Sequence, residues 1–313
     1  MGVQVVSVGQ SIGTDASFRA WGSAIASAIV AAGLVKTSDT GQINWSTVLK
    51  PSGAANFPGF EIYRFNDSLQ STYPVFIKVQ YGSSTASNPG MRIGTGTITD
   101  GAGTLSGFTT AARDIFNTGA SVAAWGSTTP ANFWVNSDGS ALMMGGYFNI
   151  VNLTSGGLFI TERMRNWNGT PNGEGLYTIW QNGQSTSGSP INPSRQNNLF
   201  ANSGGYTQPT PTAVAYNLVP MARSSVSDGV TPSNTAIVGT KAYTYPVFTG
   251  WTPQMQGPSK YVIGAFQTDF PVNTQISVNV YGATAQFNML GSVATEHSTL
   301  SGASMSCGFR ISS

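Results

Sequence analysis

Residues 74–81 read PVFIKVQY. Val75, Ile77, Val79 and Tyr81 alternate with Phe76, Lys78 and Gln80. A strand sends successive side chains to opposite faces, so this is the period-two signature of a strand buried on one side. Phe60–Phe65 and Met91–Thr99 flank it as further strand-like runs, and the loop chemistry of Ser83–Gly90 predicts a long hairpin between the second and third.

Upstream of these strands the period changes. Phe18, Trp21, Ile25, Ile29 and Ala32 recur at spacings of three and four, which puts one apolar stripe on a helix of about residues 15–33. Thr14 or Asp15 can accept from the first unpaired N–H groups, and Gly33 sits where a left-handed residue ends a helix. The stripe predicts a helix laid on a sheet, with Trp21 between the two. The longest apolar run, Ala24–Val35, is broken by Ser27 and Gly33 and is well short of the ~20 residues of a membrane span. The opening MGVQVVSVGQ lacks a basic n-region and an apolar h-region, so no signal peptide is expected.

Downstream, Leu142–Val151, Gly157–Arg165 and Gly175–Gln181 read as a meander with turns at Asn152–Gly156 and Asn166–Gly173. Strand patterns resume at Lys241–Phe248, Tyr261–Phe266, Gln275–Tyr281, Ala285–Leu290 and Met305–Ile311, with Tyr281-Gly282-Ala283-Thr284 as a hairpin turn. Residues 182–212 hold few apolar residues and much Gly, Ser, Asn and Pro, and are expected to form an extended loop or arm against a neighbouring subunit. The fold class is therefore mainly β: antiparallel, β-sandwich-like sheets with a small α+β N-terminal part and one clear helix. The expected division is an α+β domain over 1–110, closed by the Gly/Ser/Thr-rich stretch near Asp100–Thr110, and a β-rich domain over 111–313.

Composition narrows the function. Of 313 residues 40% are hydrophobic and 11% aromatic, enough for a sizeable core, but only 8% are charged, against roughly 25% in ordinary soluble domains. A polar yet uncharged surface has little repulsion to hold copies apart, which suits a subunit of an assembly. The 14 basic residues are scattered, with Arg163 and Arg165 the nearest approach to a cluster. No nucleic-acid partner is expected from that pattern.

The catalytic inventory is thin. His297 is the only histidine and Cys307 the only cysteine, so neither a zinc site of the usual ligand types nor an intrachain disulfide is expected. Cys307 reads as a small buried hydrophobe and His297 as a surface residue. Gly94-x-Gly96 lacks both the third glycine of a dinucleotide loop and the Lys-Ser or Lys-Thr of a P-loop. No cofactor, metal or nucleotide is expected. Glu162 and Glu174 are the remaining acid pair, on strands either side of the Asn166–Gly173 turn. A two-residue Asn168-Gly169 turn would set Arg163 opposite Glu174 as an ion pair. A three-residue loop centred on Asn168 would set Glu162 opposite Glu174, near the ~5 Å spacing of retaining glycosidases. Structural pairing is the preferred reading, and the register is left open. Trp134, Trp167, Trp180 and Trp251 could stack on sugars, although aromatics at this density mostly serve cores and interfaces.

The run FRAWGSAIASAIVAAGLVKTSDTGQINWSTV at 18–48, with GFEIYRFNDSLQSTYPVFIKVQYG at 59–82, resembles the N-terminal region of structural proteins of tailed-bacteriophage virions. ISVNVYGATAQFNML at 276–290 looks like the closing strands of such proteins. The resemblance implies a virion location after assembly in the host bacterial cytoplasm, several copies, and contacts with tail, neck, portal or capsid components. It carries no catalytic residues. The expected function is a non-enzymatic structural subunit of collar, neck or tail. The alternative is a receptor- or glycan-binding fibre or spike, with glycan hydrolysis less favoured again.

Overall fold

The computed structural model describes residues 2–9, 12–53, 56–85, 88–107, 110–115, 130–147, 156–181, 199–205, 244–251, 254–266, 274–293 and 305–312. Within them the chain is mainly β, with antiparallel sheets and one helix near the N-terminus. The strands are β1 (Gln4–Gly9), β2 (Val35–Lys36), β3 (Asn56–Arg64), β4 (Phe76–Thr85), β5 (Asn88–Gly96), β6 (Ile98–Thr99), β7 (Leu105–Ser106), β8 (Thr110–Ile115) and β9 (Pro130–Asn136). They continue as β10 (Ala141–Tyr147), β11 (Gly156–Arg165), β12 (Pro171–Gln181), β13 (Leu199–Gly205), β14 (Thr244–Trp251), β15 (Gln254–Phe266), β16 (Gln275–Val280), β17 (Ala283–Val293) and β18 (Met305–Arg310). Helix α1 spans Asp15–Ala32.

Local chemistry explains the helix ends. Thr14 Oγ1 accepts from Ser17 N at 3.1 Å and Ser17 Oγ accepts from Thr14 N at 3.1 Å, a reciprocal capping box. Gly33, at φ 125°, supplies the positive φ at the other end. The whole predicted stripe, Phe18, Trp21, Ile25, Ile29 and Ala32, is buried. Trp21 meets Tyr81 edge-on at 6.2 Å, so the helix lies on the N-terminal sheet as its spacing predicted.

That sheet runs β2-β3-β4-β5-β8. On β4, Ile77, Val79 and Tyr81 are buried while Phe76, Lys78 and Gln80 are half-buried, as the alternation requires. The Ser83–Gly90 segment departs from its expected loop. β4 extends to Thr85 and β5 begins at Asn88, with Ser83 opposite Pro89 and Thr85 opposite Asn88. Backbone pairing continues there without apolar side chains to announce it.

A six-stranded sheet, β1-β9-β10-β11-β12-β13, forms the middle of the molecule. Its first strand comes from the chain's start, with Gln4 opposite Val135. One core cluster joins Val6 and the helix stripe to Tyr63, Ile77 and Val79 of the N-terminal sheet and to Phe133, Val135, Leu142, Met144 and Phe159 of the six-stranded one. A boundary near residue 110 therefore separates neither a sheet nor a core. On the other face Trp134 packs against Phe309 of β18 at 5.5 Å. Gly145 lies so near that ring that a Cβ would be 3.0 Å from it. Phe309 belongs to the C-terminal sheet, β14-β15-β18-β17-β16. Face-to-face packing of these two sheets is the sandwich-like element of the fold.

Within the expected arm at 182–212, residues 199–205 are instead strand β13, paired along β12 with Phe200 opposite Trp180. Positions 182–198 and 206–212 lie outside the described residues, as do His297, Lys241–Tyr243 and 148–155.

Candidate functional site

The charged residues singled out in the sequence converge on β11. Glu162, Arg163 and Arg165 are each exposed by 1% or less, although charged side chains are rarely buried unless paired. Arg163 donates through Nε to Asp67 Oδ2 at 2.5 Å and through Nη2 to Asp67 Oδ1 at 3.1 Å, a two-pronged contact with the segment between β3 and β4. Its guanidinium also stands 5.3 Å from the Phe65 ring centroid. Arg165 donates through Nε to Glu162 Oε2 at 2.9 Å, through Nη2 to Asp138 Oδ2 at 3.1 Å and through Nη1 to the Gly169 carbonyl at 3.1 Å. Lys260 of β15 reaches the same Asp138 oxygen at 3.4 Å, and Arg165 lies 5.8 Å from the Tyr261 ring.

In a regular strand Arg163 and Arg165 would serve one face. The ladder between β11 and β12 is irregular between them: Arg163 pairs with Leu176 and Arg165 with Pro171. That irregularity lets one arginine serve the N-terminal sheet and the other the β9–β10 turn and the C-terminal sheet. The two arginines that come nearest to a basic cluster in the sequence are thus fully internal.

Electrostatics follow from enclosure. Burial pushes the Glu162 carboxyl above its usual range, and Arg165 and Ser259 offset this only in part. Burial would also raise Asp138, but Arg165, the Ser140 hydroxyl and backbone, and Lys260 outweigh it and hold that carboxyl well below the usual carboxylate range. Burial disfavours the charged Arg165, yet Glu162 and Asp138 more than reverse this, so it stays protonated. Burial, then the neighbouring Asp138, raises the Tyr261 phenol and keeps it neutral. Glu162 Oε1 makes no hydrogen bond among the described residues.

The hairpin beyond this joint resolves the open register. Asn166 N donates to the Thr170 carbonyl at 2.9 Å and Gly169 N to the Asn166 carbonyl at 2.8 Å. Gly169 takes φ 84°. This is the three-residue loop centred on Asn168, with glycine at its left-handed position. The pairing beyond it is shifted, so Glu162 faces Tyr177 and not Glu174, and Arg163 faces Leu176. Neither expected pairing of Glu174 forms on the backbone ladder; its side chain lies outside the described atoms. A glycosidase-type pair of Glu162 with Glu174 is not set up by this register.

A second enclosed carboxylate, Glu61, was not singled out from the sequence. Its Oε1 takes Lys36 Nζ at 2.6 Å and Trp45 Nε1 at 3.3 Å, and its Oε2 takes Tyr63 OH at 2.5 Å. Tyr63 OH lies 3.3 Å from Tyr81 OH, and burial holds both phenols neutral. The strand alternation around Glu61 was visible; its partners on β2 and in the segment before β3 were not.

Of the four tryptophans considered for sugar stacking, Trp134 is buried at 7% exposure and Trp167 is exposed at 62%. The side chains of Trp180, Trp251 and Cys307 lie outside the described atoms. Among the described residues no group of three or more His, Cys, Asp or Glu side chains comes together, and no helix is long and apolar enough to cross a membrane. No protein-family model matches the chain, and no curated protein matches it at a significant level.

Proposed function

We propose that this chain is a structural subunit of a tailed-bacteriophage virion, placed at the collar, neck or tail, acting through contacts with its own copies and with other virion proteins. The observation that carries this reading is the joint on β11, where the buried Arg163–Asp67 pair ties the six-stranded sheet to the segment between β3 and β4, and the half-exposed Lys260–Asp138 pair links its β9–β10 turn to the C-terminal sheet. Charges held this way have their hydrogen bonds directed at one another, which suits fixing the relative position of sheets.

Two further features support it. Only 8% of the chain is charged, and several of those charges are enclosed, which leaves the surface still poorer in them. Among the described residues β16 is an edge strand of the C-terminal sheet, and it reads QISVNV, with neither charge nor proline. Proteins that must stay apart commonly blunt such an edge with lysine, proline or a bulge. A neighbouring strand can add to it through main-chain hydrogen bonds.

The test is mass spectrometry of gradient-purified phage particles from cells that produce the chain. It should be present at a fixed ratio to the major capsid protein and resist a salt wash. Recovery only from the soluble fraction of the lysate would refute the proposal.

A further inference from the structure

We infer that the seam between β11 and β15 is closed by a proton: with Glu162 protonated the C-terminal sheet is held firmly against the β11–β12 hairpin, and with Glu162 ionised it lifts away more readily. This device stands apart from the virion reading, and neither depends on the other.

The geometry places one fully enclosed carboxyl where several elements meet. Glu162 has no exposure, and Arg165, further along β11, donates through Nε to its Oε2 at 2.9 Å. The β9–β10 turn contributes Asp138, which takes Arg165 Nη2 at 3.1 Å and Lys260 Nζ at 3.4 Å. β15 contributes Ser259, Lys260 and Tyr261, and Tyr281, after β16, stands within range of the Glu162 charge. On the ladders Ala141 of β10 and Tyr177 of β12 lie opposite Glu162, the Tyr177 side chain being outside the described atoms.

β15 rests directly on the hairpin here. Gly257 lies against the Asn166 carbonyl, where a Cβ would fall 2.2 Å from the oxygen. The Tyr281 ring lies against Gly169, and its hydroxyl donates to the Pro258 carbonyl at 2.5 Å. Arg165 Nη1 ties the cluster to the same turn through the Gly169 carbonyl at 3.1 Å. At the other end of the seam Trp134 meets Phe309 at 5.5 Å and Asn136 Nδ2 donates to the Ser312 carbonyl at 2.8 Å, contacts that a proton does not alter.

Glu162 Oε1 makes no hydrogen bond among the described residues. An enclosed carboxylate with one oxygen unpaired is costly. Two events relieve it: a proton, which removes the charge, or water, which arrives if β15 parts from β11. Burial raises this carboxyl above its usual range, Arg165 and Ser259 lower it in part, and Asp138 adds to the rise. A carboxyl so raised contributes stability at low pH that is lost as pH rises through its folded value. Asp138 is held well below the usual carboxylate range, Arg165 stays protonated, and Tyr261 and Tyr281 stay neutral. That leaves Glu162 as the carboxyl of the cluster that titrates between mildly acid and neutral pH.

The test is hydrogen exchange of the full chain, read by mass spectrometry and corrected for the intrinsic effect of pH. Peptides of β11 and β15 should lose protection between about pH 5 and about pH 8, by up to about tenfold per pH unit, while α1 and β4 hold theirs. Glu162→Gln, neutral at every pH, should abolish that loss and keep the seam at neutral pH as protected as the wild type in acid. Infrared spectroscopy of the wild type should show a protonated carboxyl band converting to carboxylate over the same range, a reading that needs no variant to fold. Protection of β15 that is independent of pH, that rises with pH, or that falls equally in α1 and β4 overturns the proposal. So does the same loss in Glu162→Gln, or no infrared conversion above the ordinary carboxylate range.

Discussion

Arg165→Met removes the guanidinium at the centre of the β11 joint and keeps most of the apolar stem. Glu162, fully enclosed, then loses its charge partner, while Asp138 retains Lys260. Removing one member of a buried ion pair costs about 3–5 kcal/mol, because the charge left behind stays desolvated. At about 2 °C per kcal/mol for a long chain, the unfolding temperature should fall by roughly 6–10 °C. Glu162 can escape part of the cost by binding a proton. Its folded-state pKa is already raised by burial, and it should rise further without Arg165. A carboxyl whose folded pKa lies above its unfolded value favours the folded state at low pH, and that contribution is lost as pH rises through the folded pKa. The deficit of Arg165→Met relative to wild type should therefore shrink on acidification. At 1.36 kcal/mol per unit, the gain between about pH 7 and about pH 5 is bounded at ~2.7 kcal/mol. The double variant Glu162→Leu/Arg165→Met removes both charges and should be more stable than Arg165→Met alone. Urea unfolding followed by circular dichroism and tryptophan fluorescence at several pH values gives all three quantities. A penalty below ~1 kcal/mol, a penalty that does not change with pH, or a double variant worse than the single one would each show that the joint does not hold charge as described.

Trp21→Ala, at a side chain 3% exposed between helix and sheet, should cost about 3–5 kcal/mol in thermal or urea unfolding. Gly22→Ala should destabilise even though alanine is the better helix former, because the new Cβ would fall 2.0 Å from Trp45 Cη2; a cost on the order of 1–3 kcal/mol and a changed near-ultraviolet spectrum are expected. Burial raises the Tyr281 phenol to about 12, so its contribution is intact below the ordinary phenol range and is lost as pH rises through about 12. Alkaline titration at the phenolate absorbance should show a late step that Tyr281→Phe removes.

The features legible in the sequence were those whose causes are local. The α1 stripe, its Thr14 cap and its Gly33 terminus all lie within about twenty residues and agree with one another. The β4 alternation was legible because one face of the sheet is enclosed and the other is not. The β11–β12 turn was legible as an alternative, since Asn168-Gly169 suits a left-handed position, but the shifted ladder behind it was not. Nothing in Asn172-Gly173-Glu174 announces that Glu162 should face Tyr177. β1 could not be placed because its partner, β9, lies far along the chain, and strand pairing leaves no mark on either segment alone. β13 was hidden by its composition, since LFANSGG reads as loop and becomes a strand only beside β12.

The burial of Arg163 and Arg165 was not legible for a related reason. Asp67 and Asp138 stand in turns remote from β11 in sequence, and the nearness of Glu162 to Arg165 along the chain said nothing about burial. The one available clue was scarcity. In a chain with 8% charged residues, Glu162, Arg163 and Arg165 gathered at the end of one strand that begins GGLFI are poor material for a surface. Apolar contacts between sheets tolerate sliding, because one methyl-bearing side chain substitutes for another at little cost. The buried Arg163–Asp67 pair does not, because any other placement of β11 against the segment between β3 and β4 leaves a charge unpaired. The double variant Asp67→Leu/Arg163→Met separates these two contributions: if the pair acts through placement, the variant keeps its stability while the near-ultraviolet circular dichroism of the chain loses definition.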